Sequence, residues 1–209
     1  MKRSLLAVLL LLGCSERTLV AGDSIPFAYA QHFHPIVNAE NLAVPGSTTW
    51  HWFLGPFGNP GYVLLTGALI SGNAEWCITQ VGTNDLPSLN ITPLQHQGFY
   101  QRMLDDWLAA GCENVLSVQP PLVLDPNQPE RAAWLGEARP LQQEACEATA
   151  DCFLGPDLSV VLDPNAHYMA DGIHLNTPGE RAAIHAIQDA LMRAEGGYPT
   201  EPLGTWRTP

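Results

Sequence analysis

The sequence predicts a doubly wound α/β domain, in which helices cover both faces of a parallel sheet. Five short apolar runs recur along the chain of 209 residues, at positions 18–21, 36–43, 78–81, 115–118 and 158–162. Short runs of this kind are typical of strands buried on both faces. Longer amphipathic segments alternate with them, and such alternation indicates helical crossovers between parallel strands. Ligands of these sheets bind at the carboxyl ends of the strands, so the residues after each run are the candidates for function.

Two helices have clear start signals in the sequence. Thr92 is followed by proline and then by glutamine at the position that closes a capping box, and Gly111 is a suitable stop. The same pattern recurs with Thr177 as the predicted N-cap of the last helix. A further helix is predicted within residues 129–148, where Pro140 is expected to kink or divide it.

The amino terminus has the pattern of an export signal. Lys2 and Arg3 precede an apolar run at 4–12, which is too short to span a bilayer and ends in Leu-Leu-Gly before Cys14. This ending resembles the bacterial lipobox, which implies acylation of Cys14 and a lipid-anchored protein of the cell envelope. The alternative is an ordinary signal peptide, secretion or a periplasmic location, and a coincidental cysteine. The predicted signal peptide, single domain and C-terminal tail are residues 1–13, 14–195 and 196–209.

The charge of the chain excludes one class of partner. The formal net charge is −12 at pH 7, and loss of Lys2 and Arg3 with the signal would bring it to about −14. A surface this acidic repels phosphate backbones, so nucleic acid is not expected as a partner. We expect a monomer that reaches the membrane only through its lipid anchor.

The four cysteines that remain after Cys14 allow three pairings, and an exported protein retains disulfides. Cys77 and Cys112 each stand close before a predicted strand. If those strands are parallel neighbours, the two cysteines lie at the same edge of the sheet and within bonding reach. Cys146 and Cys152 would then close a short local loop. The alternative is four free buried thiols. No Cys-x-x-Cys pair suggests a zinc site, and no metal is expected.

Polar residues with complementary chemistry follow the predicted strands. Ser24 stands in Gly-Asp-Ser after the first, Gly46 after the second and Asn84 after the third, while Asp171 and His174 precede the last helix. Each has an ordinary structural explanation when taken alone, such as a turn or a loop cap. Together they supply a nucleophile, hydrogen-bond donors and an acid–imidazole pair at one edge of the sheet.

These segments resemble the four sequence blocks of the SGNH (GDSL-type) hydrolases, in the family's order and from about residue 19 to residue 192. The resemblance implies a three-layer, flavodoxin-like α/β/α fold with a five-stranded parallel sheet. It also implies a serine hydrolase without a cofactor that acts on a small-molecule or carbohydrate ester, such as an O-acetyl group on a polysaccharide. A lipase, lysophospholipase or thioesterase is the alternative within the family, and a non-catalytic binding lipoprotein is the alternative outside it.

The resemblance also assigns roles to residues. It implies Ser24 as the nucleophile, His174 as its base and Asp171 as the partner of the imidazole. The oxyanion would be held by the backbone N–H groups of Ser24 and Gly46 and by the amide of Asn84.

The remaining polar and aromatic residues near these blocks have less specific patterns. Trp50, His51 and Trp52 follow the glycine block, where they either form a stacking platform for substrate or belong to the core. Asp23 and Asp85 are expected to hydrogen-bond within loops and not to act as second bases. A structural role is expected for the histidines after the nucleophile turn, His32 and His34.

Overall fold

A computed structural model of the chain describes residues 17–32, 38–53 and 72–196. Its centre is a five-stranded sheet, all parallel, with the strand order β2-β1-β3-β4-β5. This order, with the first strand between the second and the third, is that of flavodoxin-like folds. The predicted fold class is therefore confirmed. The strands are β1 (Arg17–Gly22), β2 (Asn38–Asn41), β3 (Ala74–Gln80), β4 (Cys112–Gln119) and β5 (Cys152–Asp157).

Helices lie on both faces of the sheet. In chain order they are α1 (Ser24–Tyr29), α2 (Thr49–Phe53), α3 (Asp85–Leu89), α4 (Pro93–Ala110), α5 (Pro129–Glu147), α6 (Leu158–Val161) and α7 (Thr177–Ala194), with a short 3-10 turn after α1 at Ala30–His32. Within the described ranges, no helix is long and apolar enough to cross a membrane.

The core has two halves because successive side chains of a strand point to opposite faces. Leu19 of β1 packs with side chains of α2, α4 and α5, whereas Val20 packs on the other face with side chains of α1, α6 and α7. The largest fully buried side chains include Trp52 and Trp107, which meet edge to face with ring centroids 5.8 Å apart. The sheet is thus held between two apolar layers, and its carboxyl edge stays available for polar loops.

The predicted helix signals are largely confirmed. Thr92 and Gln95 form both hydrogen bonds of the capping box at the start of α4, and Gly111 ends that helix with φ 118°. The predicted start of α7 is one residue late, because Asn176 and not Thr177 is the N-cap, with its side chain accepting a hydrogen bond from the backbone of Gly179. Pro140 was expected to kink or divide the third helix, and a division is wrong, since α5 continues through this residue.

The predicted fifth strand is wrong. Leu158–Val161 form a helical turn, which begins where the Asp157 carboxylate accepts a hydrogen bond from the backbone N–H of Ser159. The true strand, β5, precedes it and contains Gly155 and Pro156, two residues that are uncommon in strands. Because β5 is at the edge of the sheet, a proline costs it no ladder hydrogen bond on its open side.

The third strand begins four residues before its predicted start, so Cys77 lies inside β3 and not before it. The structure joins Cys77 to Cys112 across β3 and β4, with the Cα atoms 6.0 Å apart. It also joins Cys146 to Cys152, with the Cα atoms 5.3 Å apart, which links the end of α5 to the start of β5. Cys14, His34 and the predicted tail beyond Gly196 lie outside the described residues.

Candidate active site

Ser24 stands on a tight turn between β1 and α1. Gly22 ends the strand with φ 146°, and a Cβ atom there would lie 2.1 Å from the backbone oxygen of Gln80. Asp23 caps the helix, since its carboxylate accepts a hydrogen bond of 3.0 Å from the backbone N–H of Ile25. As the first residue of α1, Ser24 has a backbone N–H without an intrahelical partner.

A line of hydrogen bonds connects Ser24 to Asp171 through His174. The Ser24 Oγ atom is 3.1 Å from His174 Nε2, and His174 Nδ1 is 2.7 Å from Asp171 Oδ2. An ionised carboxylate can only accept, so Nδ1 carries the proton and Nε2 has its lone pair free for the serine hydroxyl. The structure thus brings together the three predicted residues, 150 positions apart in the case of Ser24 and His174.

The Asp171 carboxylate is oriented by its own loop. Its second oxygen accepts hydrogen bonds from the backbone N–H groups of Ile173, at 2.9 Å, and His174, at 3.0 Å. Partial burial by itself raises the pKa of Asp171, but the hydrogen bonds from His174 and from these two N–H groups outweigh it, so the pKa lies below its ordinary value. These hydrogen bonds therefore favour the charged carboxylate, which is the form that accepts the proton of His174 Nδ1.

The loop that carries Asp171 and His174 is tied down on both sides. The backbone of Leu124 donates to the oxygen of Gly172 at 2.7 Å, and the backbone of Met169 donates to the oxygen of His174 at 2.8 Å. Gly172 has φ 65°, and a Cβ atom there would be 2.7 Å from the backbone nitrogen of Asp125. Only glycine fits both that conformation and that contact.

Gly46 lies in a turn that packs against the nucleophile turn. The backbone N–H of Ser47 donates to Val44 across the turn, and Gly46 has φ 79° in its third position, as a type II turn requires. The Ser47 hydroxyl and the Val44 N–H both donate to the backbone oxygen of Gly22, at 2.9 and 2.8 Å. Among the residues that the structure describes, none accepts a hydrogen bond from the backbone N–H of Ser24 or Gly46.

Asn84 has a fixed place beside this turn. Its side-chain nitrogen donates to the backbone oxygen of Ser47 at 3.1 Å, and its side-chain oxygen accepts from Arg131 at 3.2 Å. The predicted oxyanion residues are thus on adjoining loops. Arg131 was not singled out from the sequence, where nothing distinguishes it from the other arginines of an amphipathic helix.

The acids next to the site residues have the structural roles that the sequence predicted. Asp23 is buried, which raises its pKa to about 6, although the hydrogen bond from the backbone N–H of Ile25 and the nearby Thr83 side chain act in the opposite direction. Asp85 accepts from the backbone N–H and the hydroxyl of Thr49 and lies 2.7 Å from Nδ1 of His96. This buried cluster of Thr49, Asp85 and His96 joins the starts of α2, α3 and the first turn of α4. His96 was also missed from the sequence.

The predicted stacking platform is wrong for Trp52. Its side chain is fully buried and its indole N–H donates to the Ser47 hydroxyl at 3.0 Å, so it offers no face to a ligand. The ring of His51 is fixed by a hydrogen bond within its own turn, because its Nδ1 accepts from the backbone N–H of Thr48 at 3.1 Å. Trp50 is partly buried and meets the ring of Phe99 at 4.7 Å. Its contact with substrate stays a prediction.

Predictions from the sequence also concern His32 and metal binding. His32 has a structural partner, since its Nε2 lies 2.7 Å from a carboxylate oxygen of Glu180. Among the described residues, no group of three or more histidine, cysteine or acidic side chains is placed to hold a metal ion.

The fold and the site define a class of structure: a doubly wound α/β domain with a Ser–His–Asp line at the carboxyl edge of its sheet. Solved structures with this fold match most of the chain. A proposed SGNH hydrolase from Slackia heliotrinireducens has 18% sequence identity and a TM-score of 0.65, and the match covers 84% of this chain and 98% of that one. A carbohydrate acetylesterase family member from Sinorhizobium meliloti has 17% identity and a TM-score of 0.64, covering 87% and 99%.

A third match is to a mutant of the acetylxylan esterase Axe2 from Geobacillus stearothermophilus. It has 14% identity and a TM-score of 0.62, and covers 88% of this chain and 95% of that one. Comparison of the sequence itself finds no matching family model and no matching curated protein. The chain therefore has the fold of the SGNH hydrolases, as the sequence blocks predicted.

Proposed function

We propose that the protein is a serine esterase that hydrolyses carboxylic esters through Ser24, His174 and Asp171. The observation that carries the proposal is the hydrogen-bonded line from Ser24 Oγ to His174 Nε2, 3.1 Å, and from His174 Nδ1 to Asp171 Oδ2, 2.7 Å. Further support comes from its position, since the serine follows β1 at the edge of the sheet where such folds bind ligands.

In the first half of the reaction, the Ser24 hydroxyl attacks the ester carbonyl while its proton passes to His174 Nε2. Asp171 stabilises the resulting imidazolium and keeps the ring in the required tautomer. The protonated His174 then gives the proton to the departing alkoxide, which leaves an acyl group on Ser24. In the second half, water attacks that acyl group with His174 again as the base, and the acid is released.

The former carbonyl oxygen of each tetrahedral intermediate carries the negative charge and accepts hydrogen bonds from the oxyanion donors. These are the backbone N–H groups of Ser24 and Gly46 and the side-chain amide of Asn84. Two hydrogen bonds to the backbone oxygen of Gly22 hold the turn of Gly46 against the nucleophile turn. This arrangement favours backbone N–H groups of Ser24 and Gly46 that point toward the same oxyanion. A donor set fixed in advance stabilises the transition state without reorganisation, and one such donor is worth about 3–4 kcal/mol.

For the substrate we propose O-acetyl groups on carbohydrate. The side chains of His174 and Asp171 are 43% and 45% exposed, so the histidine and its partner are reachable by an ester on a larger molecule. Two of the matching solved structures are named as an acetylxylan esterase and a carbohydrate acetylesterase family member. A long-chain lipase or thioesterase would differ by its preference for extended acyl groups.

The test of the proposed function is hydrolysis of p-nitrophenyl acetate by the purified protein and by the Ser24→Ala variant. We expect release of acetate that this substitution abolishes, and a rate that falls from acetyl to octanoyl esters. Release of acetate from acetylated xylooligosaccharides would then identify the substrate class. Equal rates for the two proteins would refute the catalytic assignment, whereas a faster octanoyl reaction would refute only the choice of substrate.

We also propose that the protein is exported and lipid-anchored at Cys14, because an apolar run and Leu-Leu-Gly precede this cysteine. Two disulfides agree with an oxidising compartment. In cells, the full chain should require detergent for extraction, and a Cys14→Ser variant should not. Identical partitioning of the two would exclude the anchor.

A further inference from the structure

Arg131 of α5 is a buried side chain that makes three hydrogen bonds at the edge of the candidate site. Its Nε donates to the backbone oxygen of Thr83 at 2.6 Å, and one terminal nitrogen donates to Gln128 Oε1 at 3.0 Å. The other terminal nitrogen donates to Asn84 Oδ1 at 3.2 Å. The guanidinium therefore contacts two consecutive residues of the loop after β3, one through its backbone and one through its amide.

The contacts of Asn84 leave its amide a single orientation. In the observed one, Oδ1 accepts from Arg131, and Nδ2 donates one of its two hydrogens to the backbone oxygen of Ser47. A rotation of the amide by 180° would place an oxygen against the oxygen of Ser47 and an N–H group against the guanidinium, which can only donate. No described residue accepts the second hydrogen of Nδ2.

We propose that Arg131 is a positioning residue of the oxyanion hole, which fixes the Asn84 amide so that its second N–H points at the developing oxyanion. The inference rests on the proposed esterase function and names a residue that the SGNH sequence blocks do not include. Arg131 acts through Asn84 and does not itself touch the substrate.

The charge on Arg131 adds to this effect. Burial lowers the pKa of Arg131 from its ordinary value, while the carboxylates of Asp23, Asp125 and Asp171 act in the opposite direction. An arginine keeps its proton in proteins, so a positive charge stands permanently behind the amide. A cation bonded to the amide oxygen draws electron density from the nitrogen, which makes Nδ2–H a stronger donor to an anion.

The test is a double-mutant cycle on the intact enzyme, with Arg131→Met, Asn84→Ala and their combination assayed for kcat on p-nitrophenyl acetate. Loss of one oxyanion donor lowers kcat by about 10²- to 10³-fold, and a misplaced donor forfeits part of this, so we expect a fall of roughly 10- to 100-fold for Arg131→Met. With Asn84 already replaced, the same substitution should lower kcat by less than about threefold, because nothing remains to be positioned. KM should change little in either case.

A merely structural arginine would behave differently, and α5 provides a matched control. Arg139 is a partly buried arginine of the same helix that donates to the backbone oxygens of Pro120 and Pro121, at 3.1 and 2.7 Å. Arg139→Met should multiply kcat by the same factor with or without Asn84. An equal factor in both backgrounds for Arg131→Met, or no effect at all, would overturn the inference.

Two measures keep the outcome decisive. If Arg131→Met does not fold, Arg131→Lys carries the same cycle, and its retained charge should preserve more activity than Arg131→Gln. A wild-type protein without Ser24-dependent hydrolysis would instead refute the proposed function. An active wild type with additive effects would refute only the role of Arg131.

Discussion

Replacing Asp85 by alanine is expected to destabilise the fold strongly, because this carboxylate is the shared acceptor of three donors. Thr49 donates to it from its backbone N–H at 2.8 Å and from its hydroxyl at 2.7 Å, and His96 Nδ1 lies 2.7 Å away. All three residues are essentially inaccessible to solvent, so water cannot replace the lost oxygen atoms. A buried donor without a partner costs about 1–3 kcal/mol, and the hydroxyl can rotate to another acceptor. The two N–H donors that remain, those of the Thr49 backbone and the His96 ring, therefore give roughly 2–6 kcal/mol.

The measurement is thermal unfolding followed by circular dichroism, with both disulfides intact. For a domain of this size, 1 kcal/mol corresponds to about 2–4 °C, so Asp85→Ala should lower Tm by roughly 4–24 °C. Asp106→Ala is the control, because its carboxylate is at the surface and pairs with the exposed Arg102 at 3.1 Å. Such a pair contributes at most about 1 kcal/mol. Equal melting temperatures for the two variants would refute the assignment of Asp85 as a buried acceptor.

The isosteric variant Asp85→Asn separates the loss of an acceptor from the loss of volume. Its amide nitrogen can satisfy His96 Nδ1 only if the imidazole proton moves to Nε2. That nitrogen is buried and has no partner among the described residues. We expect a Tm between those of the wild type and Asp85→Ala. A Tm equal to that of the wild type would show that the carboxylate charge contributes nothing.

Two further predictions concern the loops at the edge of the sheet. Gly172→Ala should lower kcat for p-nitrophenyl acetate by about tenfold or more, because its Cβ would meet the backbone of Asp125 and displace Asp171 and His174. Gly98→Ala is the control, since a Cβ atom there would have nothing within 4 Å. Equal kcat values for the two variants would contradict this explanation. Burial raises the pKa of Asp23 from 3.8 to about 6 in the folded protein. The stability that depends on the neutral carboxyl group is therefore fully present below about pH 4. It is lost as the pH rises through about 6 and the buried group ionises. Asp23→Asn should therefore be more stable than the wild type at pH 8, by up to about 3 kcal/mol in denaturant unfolding, and should lose this advantage near pH 4. An advantage that does not vary with pH would exclude Asp23 as its source.

The fold could be predicted from the sequence where local signals and burial agree. The three inner strands, β1, β3 and β4, contain apolar runs, and Thr92 with Gln95 marks the start of α4 through contacts between near neighbours. The fifth strand could not be found in this way. An edge strand needs fewer apolar residues, so β5 tolerates Gly155 and Pro156. The apolar run at 158–162 contains instead the helical turn Leu158–Val161, which only the cap at Asp157 reveals.

The candidate site was predictable to the extent that its residues stand in short blocks after strands. Ser24, Gly46, Asn84, Asp171 and His174 were identified in this way, and the structure brings them to one edge of the sheet. The supporting contacts were not predictable, because they join distant positions without a local pattern. Arg131 and Asn84 are 47 residues apart, and Thr49 and Asp85 are 36 apart. Trp52 shows the converse error, since an aromatic beside a site block belongs to the core.

Covalent labelling with a fluorophosphonate tests the central claim most directly, because the probe reacts with an activated serine whatever the natural ester is. After labelling of the full protein and proteolysis, mass spectrometry should locate one adduct on Ser24. The adduct should be absent in Ser24→Ala and form far more slowly in His174→Ala, in which the base is missing. No adduct on the wild type, an adduct on a different residue, or equal labelling of His174→Ala would contradict the assignment of Ser24, His174 and Asp171 as the reacting group.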